Sequence, residues 1–193
     1  ASVVLLYGSR SDASQFDRVE ARLQQALADN PKATAIEFDL ANLRSLQGRY
    51  DEAEAIYRAI FEREPSRGVP LNNLAWMLSL LGGKSDAAME AIAKAIELEG
   101  ETPELLDTRA LVYLEKGQLD QAIQDLEGAL SVTPNNPDIQ LHLARAYLKR
   151  GRVEEAGDAF RKALTLGLTV EKLHPLERPS FEELSAAVGT RKG

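Results

Sequence analysis

The sequence predicts an all-α fold, a solenoid of stacked antiparallel helix hairpins with a capping helix at its C-terminal end. Internal repetition carries the prediction. Gly48, Gly82, Gly117 and Gly151 each follow an amphipathic run, at intervals of 34, 35 and 34 residues. Ala53, Ala88, Ala122 and Ala156 form a second column, and Leu23, Tyr57, Ile92, Leu126 and Phe160 a third. Ala26, Ile60, Ala95, Ala129 and Ala163 form a fourth, and Pro31, Pro65 and Pro134 a fifth. Every column shifts by one residue after Gly82, so one insertion in the Gly82-Gly83-Lys84-Ser85 turn explains the long interval.

Each period reads as one hairpin. Apolar residues three and four apart make two amphipathic helices per repeat. The glycine ends the first helix in a left-handed conformation that lets the chain reverse. The alanines sit where the two helices cross, because a larger side chain would push the backbones apart. The proline cannot continue the second helix. A lone hairpin cannot bury its apolar face, and stacking on neighbours does so.

Residues 1–31 read as a partial or degenerate repeat, with 1–10 as a shortened first helix and 12–29 as the second. Full repeats follow over 32–66, 67–101, 102–136 and 137–168, which makes five hairpins in one domain over 1–193. Residues 169–179 read as a connector with two prolines. Ser180-Phe181-Glu182-Glu183 has the form of a capping box that opens a final helix over 180–189, with Phe181, Leu184 and Val188 as its apolar stripe. The chain opens on Ala1, and the native protein is expected to continue upstream, with any targeting segment removed.

Leu40-Ala41, Gly48-Arg49-Tyr50, Ala53, Tyr57 and Pro65 resemble the tetratricopeptide repeat signature. So do Arg109-Ala110, Tyr113, Gly117, Ala122, Ala129 and Pro134, and then Leu143-Ala144, Tyr147, Gly151, Ala156, Phe160 and Ala163. Leu71-Asn72-Asn73-Leu74-Ala75-Trp76 resembles a variant common in bacterial members, including those linked to envelope export and polysaccharide systems. The resemblance covers residues 1–168 and implies a right-handed superhelix that holds a protein or peptide partner. Two places depart from the pattern. Arg109 replaces the usual leucine and must find water or a carboxylate, and Gly100 stands where proline is expected, with Pro103 following it.

Little in the chain points to chemistry. There are no cysteines, which excludes disulfides and thiol nucleophiles and leaves the compartment open between cytoplasm and periplasm. His142 and His174 are the only histidines and lie in different elements, too few for a zinc site. Gly83-Lys84-Ser85 mimics the end of a phosphate loop, but Leu78 occupies the place of the leading glycine, and the segment lies between helices. Glu154-Glu155 and Glu182-Glu183 sit early in helices, where they complement the helix dipole. The expectation is therefore no enzyme, no cofactor, no metal and no small-molecule substrate. A net charge of −7 opposes nucleic-acid binding. No apolar run approaches the roughly 20 residues that span a membrane.

The first helix of each repeat should line the concave face of the stack. That places Phe38, Asn42, Asn72, Asn73, Trp76, Asp107, Thr108, Leu111, Leu141, His142 and Arg145 on or near it. Asparagine can hydrogen-bond a peptide backbone through both donor and acceptor. Trp76 is either a partner contact or a filler between adjacent first helices. Asn42 and Asn73 match the asparagines of the carboxylate clamp of the chaperone-binding subclass, but Phe38, Pro103 and Asp107 occupy its cationic places, so a clamp is not expected. Charge runs from acidic in the fourth repeat to basic around Arg145, Lys149, Arg150 and Arg152, which is either a solvated surface or a polar groove. The expected function is a protein-binding scaffold within a larger bacterial assembly or export protein. The alternative is self-association into a homo-oligomer through open solenoid ends, promoted by Val3, Leu5 and Leu6.

Overall fold

The computed structural model describes residues 13–189, and these form helices joined by short turns. The helix expected over residues 1–10 and the apolar Val3, Leu5 and Leu6 lie outside the described residues. Helix α1 (Ala13–Asp29) leads into four hairpins: α2 (Thr34–Leu46) with α3 (Tyr50–Arg63), α4 (Val69–Leu81) with α5 (Ser85–Glu99), α6 (Pro103–Glu115) with α7 (Leu119–Val132), and α8 (Pro137–Lys149) with α9 (Val153–Thr165). A 3-10 turn at Val170–Lys172 precedes the last helix, α10 (Arg178–Gly189). Among the described residues there is no strand, and no helix is long and apolar enough to cross a membrane. The chain is an all-α solenoid.

The glycine column sets the hairpins. In the α6–α7 turn Gly117 has φ 72°, the Gly117 amide donates to the Leu114 carbonyl, and the Gln118 amide reaches back to the Tyr113 carbonyl at 2.9 Å. This double closure ties off the carbonyls that a helix end leaves unpaired. The same pair of bonds recurs after α2 and α8. The insertion changes the α4–α5 turn: Gly82 and Gly83 both have positive φ, and the Gly83 amide donates to the Glu115 carboxylate of the next hairpin at 3.2 Å. Lys84 in that turn pairs with Glu54 at 2.9 Å.

The alanine columns mark the crossings. Ala53, Ala88, Ala122 and Ala156 have no exposed surface, and neither do Ala95, Ala129 and Ala163. Asn136 and Thr102 cap α8 and α6, with Pro137 and Pro103 in the first turns, where a missing amide hydrogen does no harm. Arg109 finds its carboxylate: Asp125 accepts two parallel hydrogen bonds at 2.7 and 2.8 Å, and Glu101 pairs at 2.9 Å. Such a fork is the strong form of an ion pair, and it lets a cation occupy a leucine column.

Helix α10 begins earlier than the capping-box pattern implies. Its first bond runs from the Phe181 amide to the Glu177 carbonyl, with Pro179 in the first turn, so Ser180 lies inside the helix. A proline with φ already near the helical value favours that start. Phe181 meets Phe160 edge-on at 5.1 Å, and Leu184 is fully buried, which fixes α10 on the last hairpin.

Candidate functional site

Helix α9 stops at Gly167, in the same kind of closure that ends α2, α6 and α8. The chain then turns back across the first helices. Leu173, His174 and Glu177 are buried, Leu176 is half-buried and Pro175 is exposed. Leu173 packs into the C-terminal hydrophobic cluster built on α6 to α10, and Leu176 packs against the N-terminal cluster built on α2 to α6. Residues 173–177 therefore form a strap that joins both clusters.

The strap's polar contacts are specific. The Leu176 amide donates to His174 Nδ1 at 3.2 Å, so Nε2 carries the proton and donates to Ser45 Oγ of α2 at 3.1 Å. The imidazole also stands edge-on to Trp76 of α4, with ring centroids 4.9 Å apart. Burial holds the His174 pKa down at about 4, which keeps the ring neutral. Glu177 receives His142 Nε2 of α8 at 2.9 Å, while His142 Nδ1 meets Asp107 of α6 at 2.7 Å. Burial opposes charge on His142, but the two carboxylates outweigh it and push its pKa up to about 10. His142 is thus an imidazolium clamped between an acid of the stack and an acid of the strap.

Ser45 of α2, Trp76 of α4 and His142 of α8 all meet the strap, through His174 and Glu177. The strap therefore lies across the groove face lined by α2, α4, α6 and α8.

The expected face residues divide into four groups. Trp76, Asp107 and His142 come together around the strap. Thr108 and Leu111 lie inside the stack, with 2% and 1% of their surface exposed, and Leu141 is equally buried. Phe38, Asn42 and Asn73 form an internal set: Phe38 stands edge-on to Tyr57, and Asn42 Oδ1 accepts from both the Tyr57 hydroxyl at 2.7 Å and the Asn73 amide at 3.0 Å. That acceptor is engaged within the fold. Asn72 Oδ1 and Arg145 Nε are buried atoms without a hydrogen-bond partner among the described residues. Arg145 lies one turn beyond His142, and burial lowers its pKa against the pull of Glu183, Glu115 and Glu177. The basic cluster at the last turn is largely paired, Arg150 with Asp120 and Arg152 with both Glu155 and the face of Tyr147.

Ser45, His174 and Glu177 escaped the sequence reading, which took 169–179 for a plain connector. A signal was present: a plain linker needs neither two leucines nor one of only two histidines, and here Leu173, His174 and Leu176 cluster around Pro175. Among the described residues, no cluster of three or more acids and histidines could hold a metal ion.

No curated protein sequence matches the chain. Solved structures do, at the level of fold. A thermophilic TPR protein of Thermus thermophilus superposes with a TM-score of 0.74 at 22% identity, covering 91% of this chain and 92% of that one. PilW, a type IV pilus biogenesis factor, gives 0.72 at 19% identity over 98% and 86%. PilF of Pseudomonas aeruginosa gives 0.66 at 18% identity over 97% and 87%. A tetratricopeptide repeat model matches residues 11–74 and 113–165, more than half of the chain. With its period, its alanine crossings and its glycine turns, the chain belongs to the tetratricopeptide repeat family, whose fold serves as a protein–protein interaction scaffold.

Proposed function

We propose that the chain is a non-catalytic scaffold that holds an extended segment of a partner protein in the groove lined by α2, α4, α6 and α8, as one component of a larger bacterial assembly. The observation that supports this is the strap: the groove already receives a non-helical stretch of polypeptide through hydroxyl, ring and charge contacts from α2, α4 and α8. Fold does not by itself imply function, and here it is the furnished groove that favours a peptide ligand. The fold neighbour PilW, a type IV pilus biogenesis factor, is consistent with an assembly role.

The test is affinity capture from native lysate with the wild-type chain beside Trp76→Ala and Arg145→Ala variants. Both side chains face or border the groove, and neither belongs to the Asn42–Tyr57 network. Loss of a captured protein in the variants is the expected result. Identical captures from all three chains would rule out the groove as the binding surface.

A further inference from the structure

We propose that Leu173–Glu177 is a built-in competitor for the groove, and that the partner segment it excludes shares its chemistry: an apolar anchor, a ring set edge-on to Trp76, and a carboxylate received by His142. This rests on the groove-binding reading above and names the ligand class and its regulation.

The seat is built for a carboxylate independently of the strap. Asp107 belongs to α6 and holds His142 Nδ1 whether or not Glu177 is present, so His142 Nε2 points at the place of the Glu177 carboxylate and, in the protonated ring, donates to an acid there. Arg145 follows on the same helix and has no ion-pair partner among the described residues, so it adds positive potential beside that donor. If the strap lifts, His142 loses one of its two acids, and an incoming acid restores the arrangement. A basic side chain repels the imidazolium and an amide accepts the bond without supplying the charge, which gives the groove selectivity as well as affinity. Trp76 and Ser45 supply the second point of recognition, since His174 uses the face of the seat that they form together.

Release of the strap need not unfold the stack. The chain closes α9 at the Gly167 turn ahead of it, and α10 keeps its own anchors in Phe181 and Leu184. Seated, Leu173 and His174 are buried and the Glu177 carbonyl accepts the first bond of α10, so release costs that burial and frays the start of α10. A tethered segment acts at a high effective concentration, on the order of millimolar for a short linker. A partner's apparent affinity is its intrinsic affinity reduced by the fraction of molecules with an open groove. If the strap is seated about 99% of the time, binding weakens about 100-fold.

The experiment uses a synthetic peptide with the sequence of residues 169–179, acetylated and amidated, titrated against full-length chains. Trp76 is the only tryptophan, and its fluorescence reports occupancy. The opened chain is Leu173→Ala/Glu177→Ala, with Glu177→Gln alone as the milder variant and far-UV circular dichroism to confirm that each is folded. The expected result is binding to the opened chain at least tenfold tighter than to wild type. A peptide with glutamine at the position of the acid should bind at least tenfold weaker. No binding by a folded opened chain, or equal binding by wild type, overturns the proposal. Lysate capture separates the two readings. Capture that depends on Trp76 but is the same for wild type and the opened chain removes the competitor and keeps the groove. Capture indifferent to Trp76 removes the groove reading itself.

Discussion

His142→Leu removes the one cation that, among the described residues, pairs with both Asp107 and Glu177. Leucine is close in volume, so the loss is electrostatic: the buried Glu177 and the half-buried Asp107 are left without the charge that holds them. Breaking a buried pair by removing one partner costs about 3–5 kcal/mol. For a chain of this size 1 kcal/mol moves Tm by about 2–4 °C, so the variant should melt roughly 6–20 °C lower. The pH dependence is the sharper readout. The folded pKa of His142 is about 10, above the ordinary value of 6.5, so its contribution is complete below pH 6.5 and is lost as pH rises towards 10. His174 behaves oppositely. Its folded pKa of about 4 lies below the ordinary value, so its contribution is complete above pH 6.5 and is lost as pH falls towards 4. The groups facing them are Asp107, Asp138 and Glu177 around His142, and Glu177 and Arg178 around His174. Thermal melts by circular dichroism from pH 4 to 9.5 should therefore peak near pH 6.5. His142→Leu should remove the alkaline decline, and His174→Leu should soften the acid one. A wild-type Tm that is flat from pH 6.5 to 9.5 would refute a charged His142.

Two further substitutions probe the scaffold. Arg109→Leu restores the usual residue of its column but leaves Asp125 buried and unpaired; a loss of about 1–3 kcal/mol is expected in urea unfolding. The double change Arg109→Leu/Asp125→Leu should recover most of that loss, because an apolar pair can replace a buried ionic one. A double variant as unstable as the single would contradict this. Gly128→Ala should stabilise the chain by about 0.5–1 kcal/mol, since Gly128 lies within α7 and an added methyl meets only Leu106 at ordinary contact distance. Gly151→Ala should destabilise it by about 1–2 kcal/mol, because the turn holds φ at 83°. The same melts distinguish the two glycines.

The stack was legible because its signal is local and repeated. A glycine column fixes each reversal, an alanine column fixes each crossing, and the single insertion at Gly82 is visible as a shift in every later column. The first helices' place on one face followed from the same period. The strap was not legible for the opposite reason: it occurs once. Ser45 and His174 are 129 positions apart, and no periodicity relates them. Their meeting depends on how far the stack bends, which is summed over several helix crossings. The asparagines illustrate a different limit. Spacing puts Asn42 and Asn73 on the first helices of adjacent repeats, but does not say which way each amide turns, and a tyrosine hydroxyl from α3 draws Asn42 into the fold.

An open solenoid behaves as a spring, since each repeat touches only its neighbours and can fray or flex separately. A strap that grips α2 through Ser45 at one side and α8 through His142 at the other works as a bowstring across that spring. It limits how far the superhelix can be stretched and couples the ends mechanically. Pulling the chain apart from its termini should then meet its first resistance at the histidines, before any hairpin opens, and a partner that lifts the strap would also slacken the spring.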